Sequence, residues 1–414
     1  RVLALHARRF SLTTVWVSMF NRESAAIVGG CGSALVCLFV LAQFFVKVLF
    51  VNDLMGNAFV AAIGVICLLY VCEKEGSSPL FGVIFGFASC VSLLMLVSML
   101  YNQNTSLEDF LWVWAYSGPV AIMLFQSVDH RAFTIAFYAV VAFLLVQIAI
   151  GVDSTEVFKS GSRNGISSNV ILLAVLAYYY RWRQLRKINL LPALLAVPAC
   201  LYSVGRAGVA ISILLLAFVF VAYLVLEDRP AFLKFLIVAL ACALIAIFAV
   251  ELFSGLIDSL LERFQREGLE SGRAKMWSEY FGLVSTSFGN LLLGAPTMAD
   301  MSLRIAFQQG NLHNSFLMLH AHFGAIGFVV ITVCSVIFLR QLVKRGELFV
   351  VGIIGVAIAR MLFDGIAFFG PYDLLFMCMV IPVLCGGRYR GALSRDWNIW
   401  DKSNRLRVLG RSRA

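Results

Sequence analysis

The chain has 414 residues, of which 61% are hydrophobic and 14% charged, with a formal net charge of +10 and a mean hydropathy of +0.89. A soluble domain typically carries about 25% charged residues, so an ordinary soluble fold is excluded. The apolar residues fall in runs of roughly 17–25, the length a helix needs to cross about 30 Å of hydrocarbon, without the period-two alternation of a membrane barrel. The fold class expected is therefore all-α, a polytopic membrane helix bundle.

Basic excess in such a chain is first a topology signal, so nucleic acid is not an expected partner. The ten cysteines lie in or beside apolar runs and form no CxxC pair, which reads as packing rather than metal or redox chemistry. No metal or other cofactor is expected.

In chain order, a basic start (Arg1, Arg8, Arg9, Arg22) precedes a first span at about 26–46, placing the start in the cytoplasm. This first run lacks a small-residue cleavage site and reads as a retained helix rather than a signal peptide. Spans follow at about 54–72, 80–101, 110–127, 132–151, 167–181, 189–204, 209–226, 231–253, 315–339, 347–363 and 372–386, about twelve in all. The long interruption at 254–314 is an outer loop holding short helices, and 388–414 is a basic inner tail with eight Lys/Arg against two acids. The whole chain, 1–414, is one integral membrane domain. Arg131, Arg181, Arg183, Arg186, Lys187, Arg229, Arg340, Lys344 and Arg345 all fall in predicted inner loops, as positive-inside topology requires.

Cations on the outer side need another reason to exist. Arg163, Arg206, Arg273, Lys275, His313 and Asp364 all land at or near that side, and one span more or fewer between any two would separate them. Arg206 follows Gly205 at a turn or at the first turn of a span. It is either a snorkelling arginine that fixes a helix end or an arginine facing a cavity, and Gly205 and Gly208 would allow a bulky anion to approach the backbone. The charges from Glu262 to Glu270 read as a solvated face. Ser271 and Gly272 break that run, so Arg273 opens a new helix lying on the membrane surface, with Trp277 and Tyr280 as interfacial anchors. A helix N-terminus favours an anion, and converging arginines would grip a diphosphate bidentately.

His313 is the candidate general base; a structural role is the alternative. His320 and His322 read as packing residues. Asp364 lies four residues after Arg360, so the two can pair on one helix face, for function or simply to neutralise one another. Arg163-Asn164 and Asn169 form a further polar patch with sugar contact as one reading.

His313-Asn314, nine residues, Gly324, two residues and Gly327 resemble the loop motif of the O-antigen ligase and O-antigen polymerase superfamily of bacterial envelope glycosyltransferases. Ser271-Gly272-Arg273 with Trp277, and Ser203 with Arg206, are similar to two further positions of that family. The likeness covers about residues 200–390; before that it extends only to hydropathy.

The resemblance implies a GT-C-like fold in the bacterial inner membrane, with cytoplasmic termini and a periplasmic active site. The implied reaction moves a glycan from undecaprenyl diphosphate to an acceptor hydroxyl, without metal and with inversion at the anomeric carbon. Carried over by position, Arg206 and Arg273 hold the donor diphosphate and His313 is the base, with Arg163, Lys275, Asn314, Arg360 and Asp364 in possible support. The acceptor is lipid A–core for a ligase, or a growing glycan for a polymerase; a protein O-oligosaccharyltransferase is a third member type. A transporter of lipid-linked glycans is the alternative from another class. It predicts mid-span charges and repeat symmetry, whereas the charges here gather at span ends.

Overall fold

The computed structural model describes residues 12–75, 79–126, 128–227, 273–307 and 310–384, with a few isolated positions between 230 and 265. Apart from those isolated positions, the predicted ninth span at 231–253 and the Glu262–Glu270 face lie outside the described residues, as do Ser271-Gly272 and the tail 388–414.

Within them the fold is all helical. The helices are α1 (Leu12–Leu49), α2 (Asp53–Glu75), α3 (Pro79–Tyr101), α4 (Leu107–Phe125), α5 (His130–Ala149), α6 (Asn164–Leu185), α7 (Leu191–Tyr202) and α8 (Arg206–Leu226), then α9 (Arg273–Ser285), α10 (Phe288–Leu293) and α11 (Met301–Ala306) in the loop, and α12 (Ser315–Lys344), α13 (Leu348–Met361) and α14 (Asp373–Leu384). Six of these, α1, α2, α3, α5, α8 and α12, are long and apolar enough to cross a membrane, and α7, α13 and α14 are shorter apolar helices. The chain is a membrane-embedded helical protein.

The bundle is built around α6. Every residue from Ile166 to Tyr178 is buried, as expected of a helix enclosed by neighbours on all sides, and its polar Ser167, Ser168 and Asn169 lie in its first turns. Its last turns carry Tyr178, Tyr179, Tyr180, Arg181 and Arg183, polar groups that suit the bundle's end rather than its middle. Exposed Leu, Ile, Val and Phe side chains cluster on α2, α3, α8 and the second half of α12, the faces available to lipid.

The predicted span at 315–339 falls inside α12 but is not one continuous helix. The run 315–339 reads as a single apolar helix, but its backbone breaks at Gly324, which adopts φ 61° and ψ −169°, a region open essentially to glycine. A Cβ there would stand 1.9 Å from the carbonyl oxygen of Leu292, so the glycine also admits the loop backbone. The piece from 325 to 344 is still about 30 Å long at 1.5 Å per residue, enough to span. Ser315–Phe323 becomes a separate half-helix.

A break of this kind frees carbonyls that must be met inside the protein. The amides of Asn102 and Asn104 both donate to Ala321 O, at 3.0 and 2.8 Å, and Asn102 also donates to Leu293 O at 2.7 Å. Asn104 Oδ1 in turn accepts from Thr297 N and Oγ1, each at 2.9 Å. The polar link between α3 and α4 therefore fastens both the kink and the outer loop.

Candidate functional site

The end of the bundle that holds the starts of α6, α8 and α12 and the end of α13 gathers most of the predicted site residues. His313 precedes α12 in a left-handed conformation, φ 47°, held by an Asn311 side chain that accepts its N–H at 3.0 Å. A non-glycine residue in that region is strained, and such strain gathers at functional positions. Asn314 is the N-cap of α12, its side-chain oxygen accepting from Phe316 N and Leu317 N at 2.9 and 3.2 Å. That fixes the helix start on which His313 rides.

Opposite stands Asp364. Its Oδ1 lies 3.6 Å from His313 Nδ1, longer than a hydrogen bond, and its Oδ2 accepts from Arg360 at 2.9 Å. Arg360 is only 2% exposed, and the same terminal nitrogen donates to Ser168 Oγ on α6 at 2.8 Å. Ser315 locks the two loops together: its hydroxyl donates to Asp364 O at 2.7 Å and accepts from Ile366 N and Ala367 N at 3.1 and 3.2 Å. Burial alone would raise the Asp364 pKa, but the His313 imidazole and the Arg360 guanidinium outweigh it and hold the carboxyl at about 2. The group is therefore an anion at any physiological pH.

Arg206 opens α8, and that helix start is packed onto the start of α6. A Cβ on Gly205 would stand 2.9 Å from Asn164 Oδ1, and one on Gly208 would stand 2.3 Å from Ser167 Oγ. The room these glycines make is thus filled by α6 side chains, which corrects the expectation that it admits an anion. The seam nevertheless ties Arg206 to the helix turn that carries Arg360's partner Ser168.

Arg273 is the first residue of α9, one turn before Trp277 and on the same helix face. Trp277 Nε1 donates to Leu312 O at 2.9 Å, next to His313. Tyr280 is 1% exposed and its hydroxyl meets His320 Nδ1 at 2.7 Å, while His320 Nε2 meets Leu291 O at 3.0 Å. Since a carbonyl only accepts, Nε2 carries the His320 proton and Tyr280 donates to Nδ1. Burial overturns the view of Tyr280 as an interfacial anchor, and half-exposed Trp277 also binds α9 to the protein through its indole N–H. Burial pushes the Tyr280 phenol above its ordinary pKa, so it stays protonated and able to donate.

Comparison with protein families, with curated proteins and with solved structures found no match.

The remaining candidates separate. Lys275 is 84% exposed and faces Glu279 at 3.9 Å, on a solvated side of α9 away from Trp277. Arg163 stands at the start of α6, close enough to Asp153 to act on its carboxylate. Asn169 is buried and donates to Gly165 O at 2.8 Å, so it packs within α6 rather than offering sugar contact. His322 is buried too, its Nδ1 3.4 Å from Thr105 Oγ1. Among the described residues no group of three or more His, Cys, Asp and Glu side chains is placed to hold a metal ion.

Three residues of this end escaped the sequence reading. Ser168 and Ser315 sit in runs where serine reads as ordinary packing, and only the folded chain shows them beside Arg360 and Asp364. Lys47 looks like a helix-end lysine, yet its ammonium comes near enough to Asp364 to interact with it.

Proposed function

We propose that this chain is an inner-membrane glycosyltransferase of the GT-C-like kind, with about twelve spans. It would take a glycan from undecaprenyl diphosphate and join it to an acceptor hydroxyl on the periplasmic face. An O-antigen ligase acting on lipid A–core is the first reading, and a polymerase acting on a growing glycan uses the same machinery. The observation that carries the proposal is the His313–Asp364–Arg360 relay set beside the seam of α6 and α8.

The chemistry follows from the residue types. Displacing a sugar from a lipid diphosphate needs a base for the incoming hydroxyl and a counter-charge for the leaving group. The acceptor O–H gives its proton to Nε2 of His313. Its oxygen attacks the anomeric carbon from the face opposite the diphosphate. The C–O bond to the diphosphate breaks with its electron pair, and Arg206 and Arg273 meet the charge that departs. Asp364, fixed by Arg360 and Ser315, faces Nδ1 and stabilises the imidazolium. Attack from the opposite face inverts the anomeric centre.

The test is a purified-protein transfer assay with lipid-linked donor and, separately, lipid A–core or glycan acceptor, run with and without chelator. A single transfer to lipid A–core is expected of the ligase, and a ladder of products of the polymerase, in both cases with activity retained in chelator. No product with either acceptor, or a strict need for a divalent cation, would overturn the proposal.

A further inference from the structure

Lys47 lies in the last turn of α1, where a lysine complements the helix dipole and would ordinarily reach outward to the headgroups. Here the α5–α6 loop closes over it. The N–H groups of Lys159 and Ser160 both donate to Lys47 O, at 2.8 and 3.3 Å, and the Phe158 ring packs edge-on against Phe44 at 5.3 Å. Under this cover the side chain runs along two glycines. Its Cδ would be 3.8 Å from a Cβ on Gly161, and its Nζ 3.8 Å from a Cβ on Gly165. Gly161 has φ +93°, a conformation most side chains avoid.

The charges around it do not call for its presence. Asp53 and, more weakly, Asp364 are the two carboxylates that act on Lys47. Asp364 is already bonded to Arg360 at 2.9 Å. Asp53 is exposed in the first turn of α2, where water and the helix dipole meet its charge. Lys47 forms an ion pair with neither carboxylate and acts on both only from a distance. Its ammonium also flanks the Asn164-Gly165 turn, whose other side meets Gly205, the residue before Arg206.

We propose that Lys47 is a third cationic ligand of the donor's diphosphate, meeting a phosphate over the Asn164-Gly165 turn while Arg206 meets it from the far side. This rests on the outer-end site being a diphosphate site. An ammonium suits such a role as a point charge beside the two-pronged arginines.

The test uses the full chain in nanodiscs of zwitterionic lipid, with radiolabelled polyprenyl diphosphate as the probe. Lys47→Gln is expected to weaken binding about tenfold, and Lys47→Arg by less than about threefold. Excess inorganic pyrophosphate is expected to compete in the unmodified protein and to compete about tenfold less well in the Gln variant, which separates headgroup from tail recognition. A measurement needing no variant is acetylation of Lys47 read by mass spectrometry, with strong protection expected when the lipid is bound. Lipid bound equally well by the Gln variant, or Lys47 acetylated at the same rate with lipid present, would overturn the role of Lys47 and leave the enzyme reading standing. No binding by the unmodified protein would overturn that reading itself.

Discussion

The two ends of the bundle treat buried charge differently. At the end where α6 finishes and α13 begins, Glu347 is 4% exposed and is taken up by Arg186 through both oxygens, with Trp182 Nε1 donating to it at 3.0 Å. Glu227 there accepts Ile188 N, and Asp129 caps α5 by accepting Arg131 N at 2.9 Å. Glu347 and Glu227 each fasten one segment to another, and Asp129 closes the start of its own helix. At the opposite end Asp373 likewise clasps its own loop, accepting Phe368 N and Gly370 N at 2.8 and 2.9 Å, but Asp364 faces both Arg360 and His313, with Lys47 acting on it from farther off. A carboxylate whose partners are all spoken for makes a clasp, whereas under the proposed function basic groups gathered around Asp364 would leave attraction over for an anion. On the proposed function, the first kind of charge holds the fold and the second serves chemistry.

Substitutions at the two ends should therefore fail in different ways. The largest effect is expected at His313: replacement by Ala should lower transfer about 10³-fold, the middle of the range for loss of a general base, while donor binding and melting temperature hold. Gly324→Ala comes next. Its new methyl would collide with the Leu292 carbonyl in a backbone region closed to alanine, so a loss of about 3 kcal/mol is expected in thermal unfolding, together with loss of transfer.

Asp364→Asn should lower transfer about 30-fold, through a misplaced imidazole, with donor binding less affected. The pH behaviour belongs to the same carboxyl. Its pKa is held at about 2, below the ordinary 3.8, so its stabilising contribution is complete above pH 4 and is lost only as pH falls through about 2. A titration of stability between pH 5 and 9 should show no step from it. At the other end, Glu347→Gln should cost about 2 kcal/mol, because it leaves Arg186 without its counter-charge, while kcat of the folded fraction stays within about twofold. If Glu347→Gln abolished transfer in folded protein, the division between clasp and site would be wrong.

Much of this was legible in the chain. Apolar runs locate helices because hydrocarbon length is a fixed ruler, and predicted spans such as 54–72 and 209–226 fall inside α2 and α8. The Arg360–Asp364 pair was legible because four residues is a helical turn. The break in α12 was not, since Ala325–Leu339 continues the apolar pattern and the Gly324 conformation depends on Leu292 arriving from the loop. The Asn102-Gln103-Asn104 run between two apolar spans was a visible signal of a carbonyl to be met, but not of which one. Lys47 and Ser315 act across long sequence separations that no period records. The place of Tyr280 was not legible, because an aromatic beside a membrane segment looks the same whether it faces lipid or clamps a loop.

The account depends on the His313 end of the bundle facing the exterior. In a cysteine-free background of otherwise unaltered chain, Ser162→Cys and Ser302→Cys mark that end and Lys344→Cys marks the other, all at exposed positions. A membrane-impermeant maleimide applied to intact spheroplasts is predicted to label the first two and to reach Lys344→Cys only after permeabilisation. Labelling of Lys344→Cys from outside, with Ser162→Cys and Ser302→Cys protected, would contradict it.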